Sequence, residues 1–226
     1  MNKILRILLL SSIVFLASGN ARADKGEKIF YNINPFGKAQ FIDNGEVNLN
    51  GRVYTQSVFH ARMLGFDDLE TIYGDPLTRQ PLRVERRIKW WFGREYIVEE
   101  YDRSNNTLSV DKYKSNKRVQ SRVFTSPIPD YQAIVFPVNF PQIHRLELGY
   151  LLKTAFPGVQ KVELKAREKV HVHGGTFDSY HFVSTPPLFD VWVSADESQI
   201  PVMVKGKRGY SGYAMKLQRY EESKTK

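Results

Sequence analysis

Cysteine is absent from the 226-residue chain, histidine occurs only 5 times, and 24 acidic side chains face 33 basic ones. Without cysteine there can be no disulfide, thiolate metal site or cysteine nucleophile, so the fold must be held by its core. The sequence also lacks a G-x-S-x-G elbow, an H-E-x-x-H helix and a glycine-rich phosphate loop. The adjacent pair Asp67-Asp68 reads as loop or capping residues, because neighbouring carboxylates on a strand diverge. Nothing points to an enzyme or a cofactor. Internal repeats, low-complexity tracts and Ser/Gly/Pro-rich linkers are missing too, which argues for one domain.

The long apolar run is confined to the beginning. Lys3 and Arg6 form a basic region, Ile7 to Ala17 an apolar one, and Ala21-Arg22-Ala23 a small-x-small cleavage site. This predicts a secretory signal peptide over residues 1–23 and a single domain over 24–226. The apolar run is short for a spanning helix. The expectation is an exported, periplasmic or secreted protein with no transmembrane segment after cleavage. Removing Lys3, Arg6 and Arg22 lowers the formal charge from +9 to +6. In that compartment such a charge suits anionic lipid head groups, acidic glycans or peptidoglycan, and nucleic acid is excluded as a partner.

What fills the remainder is alternation. Lys28 to Phe41 alternates around Pro35-Phe36-Gly37, Asp43-Asn44-Gly45 reads as a turn, and Asn50-Gly51 is a strong hairpin signal before a long strand from Arg52 to Met63. Leu64 to Tyr73 is ambiguous between a short helix and an irregular strand. Leu82 to Trp91 alternates again, with a turn at Phe92-Gly93, and further strands follow after Asn105-Asn106 and Ser115-Asn116. The rhythm breaks at Ser126 to Gln142, where four prolines allow only a short helical crossover. Arg145 to Phe156, Val159 to His173 and Thr176 to Thr185 read as strands. Leu188 to Tyr220 closes the chain as a three-stranded meander, with Gly206, Gly209 and Gly212 permitting bends.

Three constellations could carry chemistry. Taking Gly174-Gly175 as a two-residue turn sets His171 opposite Asp178 and His173 opposite Thr176, a metal-capable trio on a face expected to be a solvated one, since Val170, Val172 and Phe177 take the buried side. No metal is assigned to it. Arg86 interrupts an otherwise apolar strand face of Val84, Ile88 and Trp90. It is expected either to pair with Glu99 or Glu100 across the hairpin or to anchor an anionic head group in a cavity. Trp90 and Trp91, being adjacent, should point to opposite faces, with core packing as the main role of the local aromatics.

Asn34-Pro35-Phe36-Gly37, Gly174-Gly175-Thr176-Phe177, Tyr180-His181-Phe182 and the run from Val191 to Gly206 followed by Gly212-Tyr213 occur in this order. In that order they resemble the exported domain-of-unknown-function family numbered 3108, over nearly the whole mature chain. The resemblance implies an all-β fold, a strongly curved antiparallel sheet forming a half-barrel or incomplete barrel, like lipoprotein-carrier and lipocalin-like relatives. It offers no catalytic residue. The expected function is therefore a non-enzymatic periplasmic binding or carrier protein for an apolar or amphipathic, lipid-like ligand. Its site would be lined by Val84, Arg86, Ile88 and Trp90, with Ile134 to Phe136 as a lid. The alternative is a structural or assembly factor of the envelope acting through protein or glycan contacts.

Overall fold

A computed structural model describes residues 27–125, 146–152, 161–196, 198–206 and 214–222. The strands are β1 (Lys28–Asn34), β2 (Gly37–Leu49), β3 (Arg52–Met63), β4 (Phe66–Gly74), β5 (Pro81–Trp90), β6 (Gly93–Asp102) and β7 (Thr107–Lys114). They continue with β8 (Lys117–Thr125), β9 (Leu151–Leu152), β10 (Lys161–Val172), β11 (Gly175–Thr185), β12 (Phe189–Ser194), β13 (Pro201–Gly206) and β14 (Ala214–Glu221). All 14 lie in one antiparallel sheet, ordered β8-β7-β6-β5-β4-β3-β2-β1-β14-β13-β12-β11-β10-β9. Among the described residues β8 and β9 are the two edges, so the sheet does not close on itself. No described helix is long and apolar enough to cross a membrane.

Turn chemistry sets this path. Asn50 and Gly51 both take positive φ, 53° and 82°, as a tight two-residue hairpin demands. Ser115 and Asn116 do the same between β7 and β8. Asp43-Asn44-Gly45 proves to be a bulge within β2 and not a turn, since pairing with β3 continues on both sides of it. Leu64 to Tyr73 resolves as a strand: only Leu64-Gly65 turns, and β4 pairs along its length with β3 and β5. Of the Arg145 to Phe156 run, the described part is a strand only at Leu151–Leu152, with Gly149 and Tyr150 also bonding the Leu164 backbone of β10. The expected crossover at 126–142, Gly209 and Gly212 lie outside the described residues.

The core follows one sheet face. Ile29, Tyr31 and Ile33 of β1 sit opposite Phe41, Ala39 and Gly37 of β2 and next to Leu217 and Met215 of β14. The face continues through Val204, Val191, Phe182 and Leu164. β12 is buried at every position, on both faces, which explains why the C-terminal meander alternates so weakly in hydrophobicity. The sheet also curls here. The Gly174 N–H, in the β10–β11 turn, donates to the Leu217 carbonyl of β14 at 3.1 Å. In a flat sheet three strand spacings would separate β11 from β14 by roughly 14 Å. A side chain at Gly174 would press on Leu217, its Cβ standing 3.1 Å from Cγ, so the glycine permits the close approach.

The C-terminal turn explains the Val191 to Gly206 pattern. Ser194 Oγ accepts from the Ile200 N–H and donates to Asp196 Oδ1, each at 2.9 Å, and Asp196 also accepts from the Ser198 N–H at 3.0 Å. The serine and aspartate thus build the reversal between β12 and β13.

Candidate functional site

The face that carries the apolar core changes character towards β4, β5, β6 and β7. Asp68 and Glu70 of β4, Arg86 of β5 and Glu99 of β6 are buried there, beside Ile72, Val84, Ile88, Ile97 and Tyr101. Strand alternation puts them together: Glu70 lies opposite Phe59 on one side and Arg86 on the other, while Val84 faces Glu99. Asp68 and Glu70 are both 0% exposed.

Arg86 is committed to Asp68. Its Nε donates to Oδ1 at 2.8 Å and its Nη2 to Oδ2 at 2.6 Å, a two-point fork on one carboxylate. Burial alone would weaken the guanidinium's charge, but Asp68 and Glu70 outweigh it and hold the Arg86 pKa above its ordinary value. Tyr101 donates its hydroxyl to Glu99 at 2.9 Å. Glu70 is different. Its Oε2 lies 3.8 Å from Arg86 Nε, yet among the described residues neither carboxyl oxygen has a hydrogen-bond partner. Burial pushes its pKa well above the usual carboxylate range; Arg86 opposes this and the Asp68 and Glu99 charges reinforce it. Burial thus pushes Glu70 towards its protonated form, in which a carboxyl can give one hydrogen bond and accept others.

The site corrects three sequence expectations. Arg86 faces Ile97, not Glu99 or Glu100, because the hairpin turns at Trp91-Phe92 and not at Phe92-Gly93. Its ion-pair partner comes from the other neighbour, β4, and is Asp68, one of the two carboxylates read as loop or capping residues. His171 faces Thr176 and bonds its Oγ1 at 2.8 Å, because the turn is His173-Gly174, while Asp178 faces Lys169 and pairs with Arg167. The histidine trio is thus not assembled, and among the described residues no three His, Asp or Glu converge as a metal site. As expected, His171 and His173 are exposed while Val170, on the other face, is buried.

Val84, Arg86 and Ile88 do share the buried face, and Trp90 continues it half-buried. Ile134 and Phe136 lie outside the described residues. Trp91 occupies a turn, exposed, instead of the opposite strand face. The signal missed in the sequence is the alternation Asp68, Glu70, Ile72, which mirrors Ile88, Arg86, Val84 once Leu64 to Tyr73 is taken as a strand. Elsewhere, a groove of about 890 Å³ on the outer side is lined by Asp67, Leu69, Arg87 and Tyr96 among others, and Ile88 reaches it.

A second polar cluster lies across β10, β11 and β12. His181 stacks on Trp192 with ring centroids 4.0 Å apart, its Nδ1 lies 3.2 Å from Glu168 Oε1, and the Trp192 Nε1–H donates to the same oxygen at 2.6 Å. The Lys205 ammonium covers the Trp192 ring at 5.0 Å. His181 of β11 lies between Glu168 of β10 and Trp192 of β12, whose direct hydrogen bond spans two strand spacings, and with Lys205 the cluster ties β10 to β13 by side chains.

The fold and site together define an all-β protein with one open antiparallel sheet and a buried acid–arginine cluster. No family model and no characterised protein matches the sequence. Two solved structures are similar in fold. One is a protein of Parabacteroides distasonis provisionally described as a lipoprotein, with 9% identity, 91% of this chain and 100% of that chain covered, and a TM-score of 0.36. The other, from Bacteroides fragilis, is provisionally described as an exported protein with a YmcC-like fold, with 7% identity, 88% and 97% coverage, and a TM-score of 0.32. At these values neither description passes to this chain.

Proposed function

We propose that this is a non-enzymatic, exported binding or carrier protein whose curved sheet, an incomplete barrel, takes an apolar or amphipathic ligand against the β4–β6 face. The observation that carries the reading is Glu70: a buried acid with no hydrogen-bond partner among the described residues, set near Phe59, Ile72 and Val84. An unmade hydrogen bond there costs about 1–3 kcal/mol, which packing alone does not require. Ligand sites of this kind are mostly apolar with a few polar anchors. Arg86 is already neutralised by Asp68, so the anchor in this reading is Glu70, with Arg86 and Asp68 fixing the wall around it. Catalysis is disfavoured by the same burial, since a catalytic acid at 0% exposure meets no substrate from solvent without a rearrangement.

Native mass spectrometry of protein gently extracted from the exporting cell is the test. A copurifying lipid-like mass, lost in Glu70→Leu, is expected. No bound mass, and no response to an environment-sensitive fatty-acid probe, would favour the envelope assembly factor, a reading that gains from the complete pairing of Arg86.

A further inference from the structure

Because each strand reverses the last, the turns at 35–36, 64–65, 91–92 and 115–116 all fall on one end of the sheet. Three of these turns put large apolar side chains into solvent: Phe36 is 75% exposed, Leu64 79%, Trp91 68% and Phe92 94%. Within two residues of the four turns stand Lys38, Arg62, Lys89, Arg94, Lys114, Lys117 and Arg118, against a single acid, Asp67. On the same count the turns between β2 and β7 at the other end, 50–51, 75–80 and 103–106, hold Arg52, Arg79 and Arg103 against Asp75 and Asp102. Positive charge is thus concentrated at one end, and so are the exposed aromatics.

These turns are also braced against one another. Trp91 rests on Gly65, so closely that a Cβ on that glycine would lie 1.1 Å from Trp91 Nε1. Met63 packs against Gly37 in the same way. The aromatics are therefore presented on a built ridge spanning neighbouring hairpins.

We propose that this end of the sheet docks on an anionic phospholipid surface. Phe36, Leu64, Trp91 and Phe92 enter the boundary between head groups and acyl chains, and the surrounding cations meet lipid phosphates. Aromatic side chains favour that boundary, and each Lys or Arg near it gains from the negative surface potential. Apolar tips ringed by lysine fit a lipid surface better than a protein partner, because lysine is depleted at protein interfaces. Long basic side chains can also lie along the boundary while keeping their charge in the head-group layer. The inference stands apart from whatever the β4–β6 face binds.

Flotation with vesicles tests it, using phosphatidylcholine alone and phosphatidylcholine with about a quarter phosphatidylglycerol. The protein should float with the anionic vesicles, less so as salt rises, and should ignore the neutral ones. Phe92→Ser, and separately Lys89→Glu with Arg94→Glu, should each weaken binding about tenfold. Their melting temperatures should match the parent, since these side chains are exposed. Leu77→Ser, a 94% exposed residue at the other end, is the control and should change nothing. No flotation with anionic vesicles, or binding indifferent to the tip variants, would overturn the proposal. So would a tip-dependent complex with an envelope protein in the absence of vesicle binding.

Discussion

Arg86 and Asp68 meet through two hydrogen bonds of 2.8 and 2.6 Å, although strand register sets Arg86 opposite Glu70 and Asp68 opposite Ile88. The pair is diagonal, and both members are almost wholly buried. Removing one partner strands the other's charge away from water. Asp68→Ala should therefore destabilise the protein by about 3–5 kcal/mol in urea unfolding. Replacing both, as Asp68→Leu with Arg86→Met, should cost less than the single change, because no charge is left uncompensated. Equal losses in the single and double variants would mean that the two side chains act independently.

Glu70 should behave in the opposite sense. Its carboxyl is buried, and among the described residues neither oxygen has a hydrogen-bond partner. Glu70→Leu removes an unsatisfied polar group while keeping similar volume, and is expected to raise stability by about 1–3 kcal/mol. If the acid is a ligand anchor, the same variant loses the bound lipid-like mass. A gain in stability with unchanged ligand content would separate the two effects and reject Glu70 as anchor.

Much of this sheet was legible because turn residues and period-two alternation act locally. Asn50-Gly51 marked a hairpin, β3 coincides with the Arg52 to Met63 run, and β8 starts directly after Ser115-Asn116. What failed was register. Trp91-Phe92 and Phe92-Gly93 are equally plausible turns in sequence, yet a one-residue change alters every cross-strand partner of β5 and β6. The same step moved Asp178 away from His171. The cluster at Asp68 and Glu70 stayed hidden for another reason: acidic residues alternating with Leu69 and Thr71 look like a solvated strand face, and only the cationic partner on β5 makes their burial tolerable. The curl at Gly174 depends on Leu217, more than forty residues away, which no local pattern encodes.

Gly65 and Trp91 offer a direct test of the braced turns. Gly65 has φ +72°, and any Cβ there would collide with the Trp91 indole. Gly65→Ala is expected to destabilise by roughly 1–3 kcal/mol through strain and displacement of the ring. Combining it with Trp91→Ala should recover the clash component but not the backbone component. Tryptophan fluorescence, compared between Gly65→Ala and the parent, should report a moved and more exposed indole. An unchanged spectrum and an unchanged melting temperature would show that Trp91 has another resting position.

Glu27 gives the molecule a pH dependence near neutrality. The side chain is buried beside Tyr220, Asp43, Arg79 and Glu222, and burial, partly offset by the Tyr220 hydrogen bond, lifts its pKa to about 7 from 4.5. Between those values the folded protein keeps a proton that the unfolded chain has released. The contribution of Glu27 to stability is then greatest below the unfolded value, falls as pH rises through the window, and levels off above about 7. A shift of that size corresponds to a loss on the order of 3 kcal/mol. Glu27→Gln stays neutral throughout, so its urea midpoint should fall less than the parent's across this window, and above pH 7 it should exceed the parent. Tyr220→Phe removes the hydroxyl that favours the Glu27 anion, and should extend the parent's decline to higher pH. Parallel profiles for parent and Glu27→Gln from pH 4.5 to 7 would place the proton elsewhere.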